Sequence, residues 1–205
     1  MHRREALQRV AVILGGTVIG SELFLTGCKT DEKKSSMTFS EEDIPYLDEI
    51  AETIIPTTNT PGAKAAGVGK FMTVYVTDCY NDDNQKVFHE GMDKVNEASK
   101  KKFDAAFMKL SAQQRHDLLV DLDKEAKDYQ KKKGEHDKAE NDKAEKDKNY
   151  KKEDMPQHYF RLMKELTLLG YFTSQVGATQ ALRYVETPGR YEGCIPYTKG
   201  EKAFA

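Results

Sequence analysis

Apolar residues recur along most of this chain at helical spacing. Ile44, Leu47, Ile50, Ala51, Ile54 and Ile55 share one side of a helix, which predicts an amphipathic helix over 41–55. Ser40 is its expected N-cap, Glu41, Glu42 and Asp43 suit the positive end of the helix dipole, and Pro56 stops it. Val68, Phe71, Met72, Val74, Tyr75 and Val76 form a nearly continuous apolar run, read as a buried helix. Val87, Phe88, Met92 and Val95 mark a more exposed helix over 84–101, and Phe103, Phe107 and Leu110 carry the pattern into a further helical turn. Ser111 and Gln114 make a capping-box pair ahead of Leu118, Leu119 and Leu122. Pro156 fits the first turn of another helix, whose apolar face runs from Tyr159 and Phe160 through Leu162, Met163, Leu166, Leu168 and Leu169 to Gly170. A last helical stretch is expected around Thr179–Tyr184. No segment alternates as a strand does, so the fold class is all-α: a single helical domain over 40–205 with long Pro/Gly-rich loops.

Two kinds of segment break the pattern. Residues 124–154 consist mainly of Lys, Glu and Asp, with Ala126, Tyr129, Ala139, Ala144 and Tyr150 as nearly the only apolar positions. Such an insertion cannot bury enough surface to fold alone, but its alternating charges support a solvated helical extension or a disordered loop. The other segments are loops rich in small residues, proline and aromatics. One runs from Ile54 through Pro56, Thr60, Pro61, Gly62 and Gly67 to Val68. The second contains Gly170, Tyr171, Phe172 and Thr173 and, further on, Tyr191 and Gly193. Small residues and prolines fix backbone shape, and exposed aromatics serve as anchors at protein interfaces. These positions are the candidate partner interface.

The N-terminal region adds a compartment. Arg3, Arg4 and Arg9 precede a glycine-interrupted apolar stretch, Val10–Leu25, too short and broken to span a bilayer. It ends in Leu25-Thr26-Gly27-Cys28, which resembles the lipobox of bacterial lipoproteins. Residues 1–27 therefore read as a removable signal, Cys28 as a lipidated first residue, and 28–39 as a polar tether. Acyl chains on Cys28 would hold the protein on the periplasmic side of a membrane without crossing it. Arg3-Arg4 resembles the twin-arginine export signal, although Ala6 stands where that pattern prefers Phe. A net charge of −2 and the lack of a basic stripe exclude nucleic acid as a partner. With Cys28 lipidated, Cys79 and Cys194 remain in an oxidising compartment, free to pair with each other or with another chain.

The sequence offers no nucleophile with its base, no metal cluster and no dinucleotide cradle. His89, His116, His136 and His158 read as surface residues, the acids as solvated helix faces, and neither metal nor cofactor is expected on this chain. The informative stretches are Ile-Ile-Pro-Thr-Thr-Asn-Thr-Pro-Gly-Ala from Ile54, Leu-Thr…Gly-Tyr-Phe-Thr-Ser from Leu166, and Pro-Gly-Arg-Tyr-Glu-Gly-Cys-Ile-Pro from Pro188. Together they resemble the gluconate 2-dehydrogenase subunit 3 family in order and spacing. That resemblance implies a non-catalytic small subunit of an FAD-dependent dehydrogenase of the glucose-methanol-choline type, acting on a sugar or sugar acid. The FAD would sit on a large flavoprotein partner, with cytochrome c as a further electron carrier, and the twin-arginine signal would export the folded pair. Cys194 lies in the Gly-Cys motif, which implies a structural disulfide to Cys79 or to the large subunit. The charged insertion and the lipobox depart from the family pattern. The alternative is a stand-alone lipoprotein that binds a sugar or envelope polymer through the Thr/Pro/Gly loop.

Overall fold

The structure, a computed structural model, describes residues 38–147, 149–187, 189 and 193–204. Five α-helices follow one another there: α1 (Asp43–Ile54), α2 (Val68–Cys79), α3 (Asp82–Phe103), α4 (Ala112–Lys146) and α5 (Tyr159–Phe172). A 3-10 turn, Phe107–Lys109, lies between α3 and α4, and a π-helical turn, Gly177–Ala181, follows α5. The domain is all-α, and among the described residues no helix is long and apolar enough to cross a membrane. Arg3, Arg4 and Cys28, with the signal and lipid readings they carry, lie outside the described residues, as do Pro188, Arg190, Tyr191 and Glu192.

Local chemistry accounts for most of the helix ends. Ile55 takes an extended backbone ahead of Pro56, since proline crowds the helical conformation of the residue before it, and α1 stops there. The predicted capping box forms at α4: Ser111 Oγ accepts from the Gln114 N–H at 3.3 Å, and Gln114 Oε1 accepts from the Ser111 N–H at 3.0 Å. At α3 the cap is Asn81, whose side chain accepts from the Asn84 N–H at 2.9 Å. The start of α1 departs from expectation. Its N-cap is Glu42, and the Ser40 side chain gives rather than receives: the Ser40 N–H and Oγ–H both donate to Asp43 Oδ2, at 2.7 and 2.9 Å, while only the Ser40 carbonyl accepts, from the Asp43 N–H at 3.1 Å.

α5 is the spine of the core. It buries Phe160, Leu162, Met163, Leu166 and Tyr171 against Leu47, Ile50, Met72 and Val76 of α1 and α2, and against Phe88 and Val95 of α3. Two glycines let helices close on it. A Cβ on Gly91 of α3 would lie 2.5 Å from the Tyr159 Cβ, and one on Gly170 would lie 2.5 Å from the Phe71 ring. Pro156, expected inside the helix, precedes it. The first turn belongs instead to His158, whose Nδ1 accepts from the Phe160 N–H at 3.3 Å.

The charged insertion is helical for most of its length. α4 continues through it to Lys146, and the chain returns without regular structure to His158. The return segment is pinned to the helix by Glu140, whose carboxylate accepts from the Glu153 N–H at 2.9 Å, Lys143 Nζ at 2.7 Å and Tyr150 Oη at 2.9 Å. These donors hold the Glu140 carboxyl at about 2, the Glu153 N–H contributing most. Tyr129 Oη donates to the Pro156 carbonyl at 3.0 Å and fixes the far end of the return. Beyond α5, the π turn replaces the helical stretch expected at Thr179–Tyr184. The last residues fold back over it, with the Arg183 N–H donating to the Ala203 carbonyl at 2.7 Å and the Arg183 guanidinium over the Phe204 ring.

Candidate protein interface

The Thr/Pro/Gly loop between α1 and α2 is held by the acids of α1. Asp48 and Glu52 are one helical turn apart and face the loop with Glu49 between them. Glu52 Oε1 accepts from the Thr57 N–H and from Thr57 Oγ1, both at 2.8 Å, and its Oε2 accepts from the Lys64 N–H at 2.9 Å. Asp48 Oδ1 accepts from the Gly69 N–H at 2.7 Å and so caps the first turn of α2 from a neighbouring helix. Glu49 pairs with Lys64 on one side and with Arg115 of α4 on the other. The Lys64 hydrogen bond, aided by Arg115, holds the Glu49 carboxyl below its ordinary range, and Glu49 in turn raises Lys64. Arg115 also donates to the Phe107 and Met108 carbonyls at 3.2 and 2.9 Å. One acid thus joins α1, the loop, the 3-10 turn and α4.

The two small glycines of this loop have different reasons. Gly62 is buried beneath Glu52, and a Cβ there would come within 2.6 Å of the carboxyl carbon. Gly67 has φ +70° and leads into α2, a left-handed conformation that glycine adopts at little cost. The Gly62 N–H donates to Thr57 Oγ1 at 3.1 Å. The amides of Thr57, Gly62, Lys64 and Gly69 are thus all given to side chains, which fixes the course of the loop.

The structure joins the first interface segment to the second through a residue expected at the surface. Tyr171 is buried, and its Oη donates to the Pro61 carbonyl at 2.7 Å. Gly62 and Gly170 are buried as well, whereas Thr60 and Pro61 are half-buried. Pro56, Gly67, Phe172, Thr173 and Gly193 are exposed. Tyr171 is therefore a strut between α5 and the loop rather than an anchor for a partner. The outward surface beside it is apolar all the same. Leu168, Leu169 and Phe172 at the end of α5 are each 40 % exposed, and Val74 of α2 is 53 % exposed. Phe71, Tyr75 and Tyr80 form a half-buried aromatic row along α2, with centroids 5.4 and 5.7 Å apart. Burial, with Glu165 nearby, pushes the Tyr80 hydroxyl up to about 12.

Cys79 and Cys194 are both exposed and unbridged, so no bond joins them to each other. His158 corrects the surface reading of the histidines. It is buried, stacked on Tyr159 with centroids 4.5 Å apart, and 3.7 Å from Glu125. Burial lowers its pKa against the pull of Glu125. His89 is half-buried and packs on Phe39, His136 is half-buried, and His116 is exposed. Sequence reasoning missed Asp48, Glu49 and Glu52. Their signal was present, as acids one turn apart on the helix before a loop rich in unpaired amides. Among the described residues no three His, Cys, Asp or Glu are grouped to hold a metal ion.

An all-α domain whose distinctive loop is held in shape by internal bonds, next to an exposed apolar helix end, has the makings of an assembly subunit. The comparison with protein families makes this specific. The chain belongs to the gluconate 2-dehydrogenase subunit 3 family, whose family model matches residues 41–189. That description is of one chain in a multi-subunit dehydrogenase and implies a larger catalytic partner. No curated protein and no solved structure matched the chain.

Proposed function

We propose that this protein is the non-catalytic small subunit of a membrane-associated, FAD-dependent sugar or sugar-acid dehydrogenase, and that it exports, stabilises and tethers the large flavoprotein subunit. The observation that carries the reading is the family membership over residues 41–189, the segment that contains the acid-built loop and the apolar end of α5. In this reading Phe172, Leu169 and Val74 meet the large subunit, and the loop from Pro56 to Gly67 presents a fixed edge beside them. FAD stays on the partner. Arg3 and Arg4 direct the folded pair through the twin-arginine route, the lipid on Cys28 holds it on the periplasmic side of a membrane, and cytochrome c takes the electrons.

The stand-alone reading, a lipoprotein that binds sugar through the Thr/Pro/Gly loop, gains nothing from the geometry. Three of the loop's amides and the Thr57 hydroxyl are given to Glu52 and Asp48, which leaves them unable to meet a sugar's hydroxyls. The test is to purify a C-terminally tagged chain from solubilised membranes and follow both the co-purifying chains and the flavin absorbance. A stoichiometric large chain with bound flavin is expected, and replacing Arg3 and Arg4 by lysine should leave that chain in the cytoplasm. A colourless protein recovered alone would refute the assignment.

A further inference from the structure

A second surface lies along the seam between α4 and α5, and nothing in the family reading accounts for it. Two grooves of about 300 and 400 Å³ run end to end there and share Asp123, Lys127 and Lys164. The floor is apolar: Ile54, Leu119, Val120 and Phe160 in one half, Ala126 and Leu168 in the other. The rim is cationic. Lys124, Lys127, Lys131, Arg161 and Lys164 stand against two acids, Asp123 and Glu165, on a chain whose net charge is −2.

The acids are already engaged. Asp123 accepts from Lys164 at 2.6 Å and from Lys127 at 2.8 Å, and these bonds outweigh the burial that would otherwise raise its carboxyl. Glu165 pairs with Arg161 at 2.7 Å. Lys131 has no ion-pair partner among the described residues, so the seam keeps a surplus of positive charge. Gln130 Oε1 and Arg161 Nε have no hydrogen-bond partner among the described residues. Gln130 Oε1 is thus an acceptor, and Arg161 Nε a donor beside the Arg161–Glu165 pair, that suit a peptide N–H and C=O.

We propose that the α4–α5 groove docks an acidic amphipathic segment of a partner protein, its apolar side chains on the Ile54–Leu168 floor and its carboxylates against the lysine rim. An apolar floor sunk between two helices suits a helix or strand laid along it. A bilayer surface would meet the lysines but not the buried part of that floor, Leu119, Ala126 and Phe160. The inference rests on the subunit reading for its partner alone, since the groove's chemistry stands without it.

Three probes test it on the purified mature chain. They are a labelled peptide of glutamates with leucines at helical spacing, the same composition scrambled, and vesicles containing phosphatidylglycerol. Fluorescence anisotropy should show that the patterned peptide binds and the scrambled one does not, with binding weakened by added salt. Lys131→Glu and Leu168→Gln, both at exposed positions, should each weaken it by about fivefold while the circular dichroism spectrum is unchanged. Equal binding of both peptides, binding of vesicles alone, or no effect of the two variants would overturn the proposal. A flavoprotein complex that forms undiminished with the doubly substituted chain would also overturn it, yet leave the subunit reading intact. A patterned peptide that binds a chain lacking any flavoprotein partner would do the reverse.

Discussion

Glu52 is the single side chain on which the loop after α1 depends most, and its removal has a calculable effect. Three hydrogen bonds end on its carboxylate, from the Thr57 N–H, Thr57 Oγ1 and the Lys64 N–H, at 2.8 to 2.9 Å. A hydrogen bond in a protein contributes about 1 kcal/mol net and more when one partner is charged. The freed amides lie near the surface and recover part of this from water, so Glu52→Ala should cost about 2 kcal/mol. For a domain of this size that lowers the melting temperature by about 4–8 °C. Glu52→Gln should cost nearly as much, because the amide that keeps an acceptor toward Thr57 turns a donor toward the Lys64 N–H. Gly62 supplies the decisive control. Gly62→Ala drives a Cβ into the Glu52 carboxylate and should cost about 1–3 kcal/mol alone. In the Glu52→Ala background the obstacle is gone, and Gly62 does not have the positive φ that strains an alanine. The double variant should therefore be less destabilised than the sum of the two by about 1 kcal/mol or more. Thermal and denaturant unfolding of the four proteins measures this directly. Additive effects would refute the idea that Glu52 holds the loop.

The other predictions concern the caps, the arm and the thiols. His158 caps α5 only as a neutral imidazole, and the groups that face it are Glu125 and Tyr129 from α4, Lys94 from α3 and Tyr159 beside it. Its lowered folded pKa means that its share of stability is complete above about pH 6.5 and is lost as pH falls from there through the folded value. Unfolding at about pH 7 and pH 5 should show a smaller acid loss for His158→Asn, which keeps a capping acceptor, than for the parent, whereas an identical slope contradicts the assignment. Because burial also lowers His89, His89→Asn is the comparison that isolates the His158 share. Glu140→Gln should speed amide exchange across the return segment, residues 149–157, and leave α1, α2 and α5 protected; unchanged exchange there would show that the arm is pinned by something else. Cys79 and Cys194 should both react with a maleimide in the chain purified without reductant, and protection of either would reveal a bond to a partner.

Helices that bury a broad face were legible from periodicity alone, because α1, α2, α3 and α5 each repeat large apolar residues at the helical period. So was the Ser111–Gln114 box, whose partners are three residues apart. Errors arose where a side chain answers to something distant in sequence. Tyr171 is an aromatic among small residues and reads as an anchor, yet its hydroxyl finds a carbonyl 110 residues earlier. Arg115 and Glu49 are 66 positions apart, and no local pattern joins them. His158 reads as solvated because the charged arm precedes it, and only the packing of Tyr129 and Tyr159 shows that the return segment buries it. At α1 the mistake was local: Ser40 and Asp43 have the right spacing for a cap, but the serine donates where it was expected to accept.

These corrections bear on where a partner can bind. Motifs that mark the family are in large part internal here: Gly62 clears Glu52, Gly170 clears Phe71, and Tyr171 ties α5 to Pro61. A requirement for such residues follows from the shape of the loop, whatever touches its outer side. What is left for a partner is the surface those bonds hold in place: Phe172 and Leu169 at the end of α5, Val74 of α2, and the lysine-rimmed groove that Leu168 lines. A rigid loop costs a partner little ordering entropy on binding. Loosening the loop through Glu52 should accordingly weaken assembly even though Glu52 faces inward, while Phe172→Leu, which keeps the apolar contact with Tyr171, should weaken assembly with a smaller drop in melting temperature. Measured side by side, those two variants separate the residues that build the interface from the residues that form it.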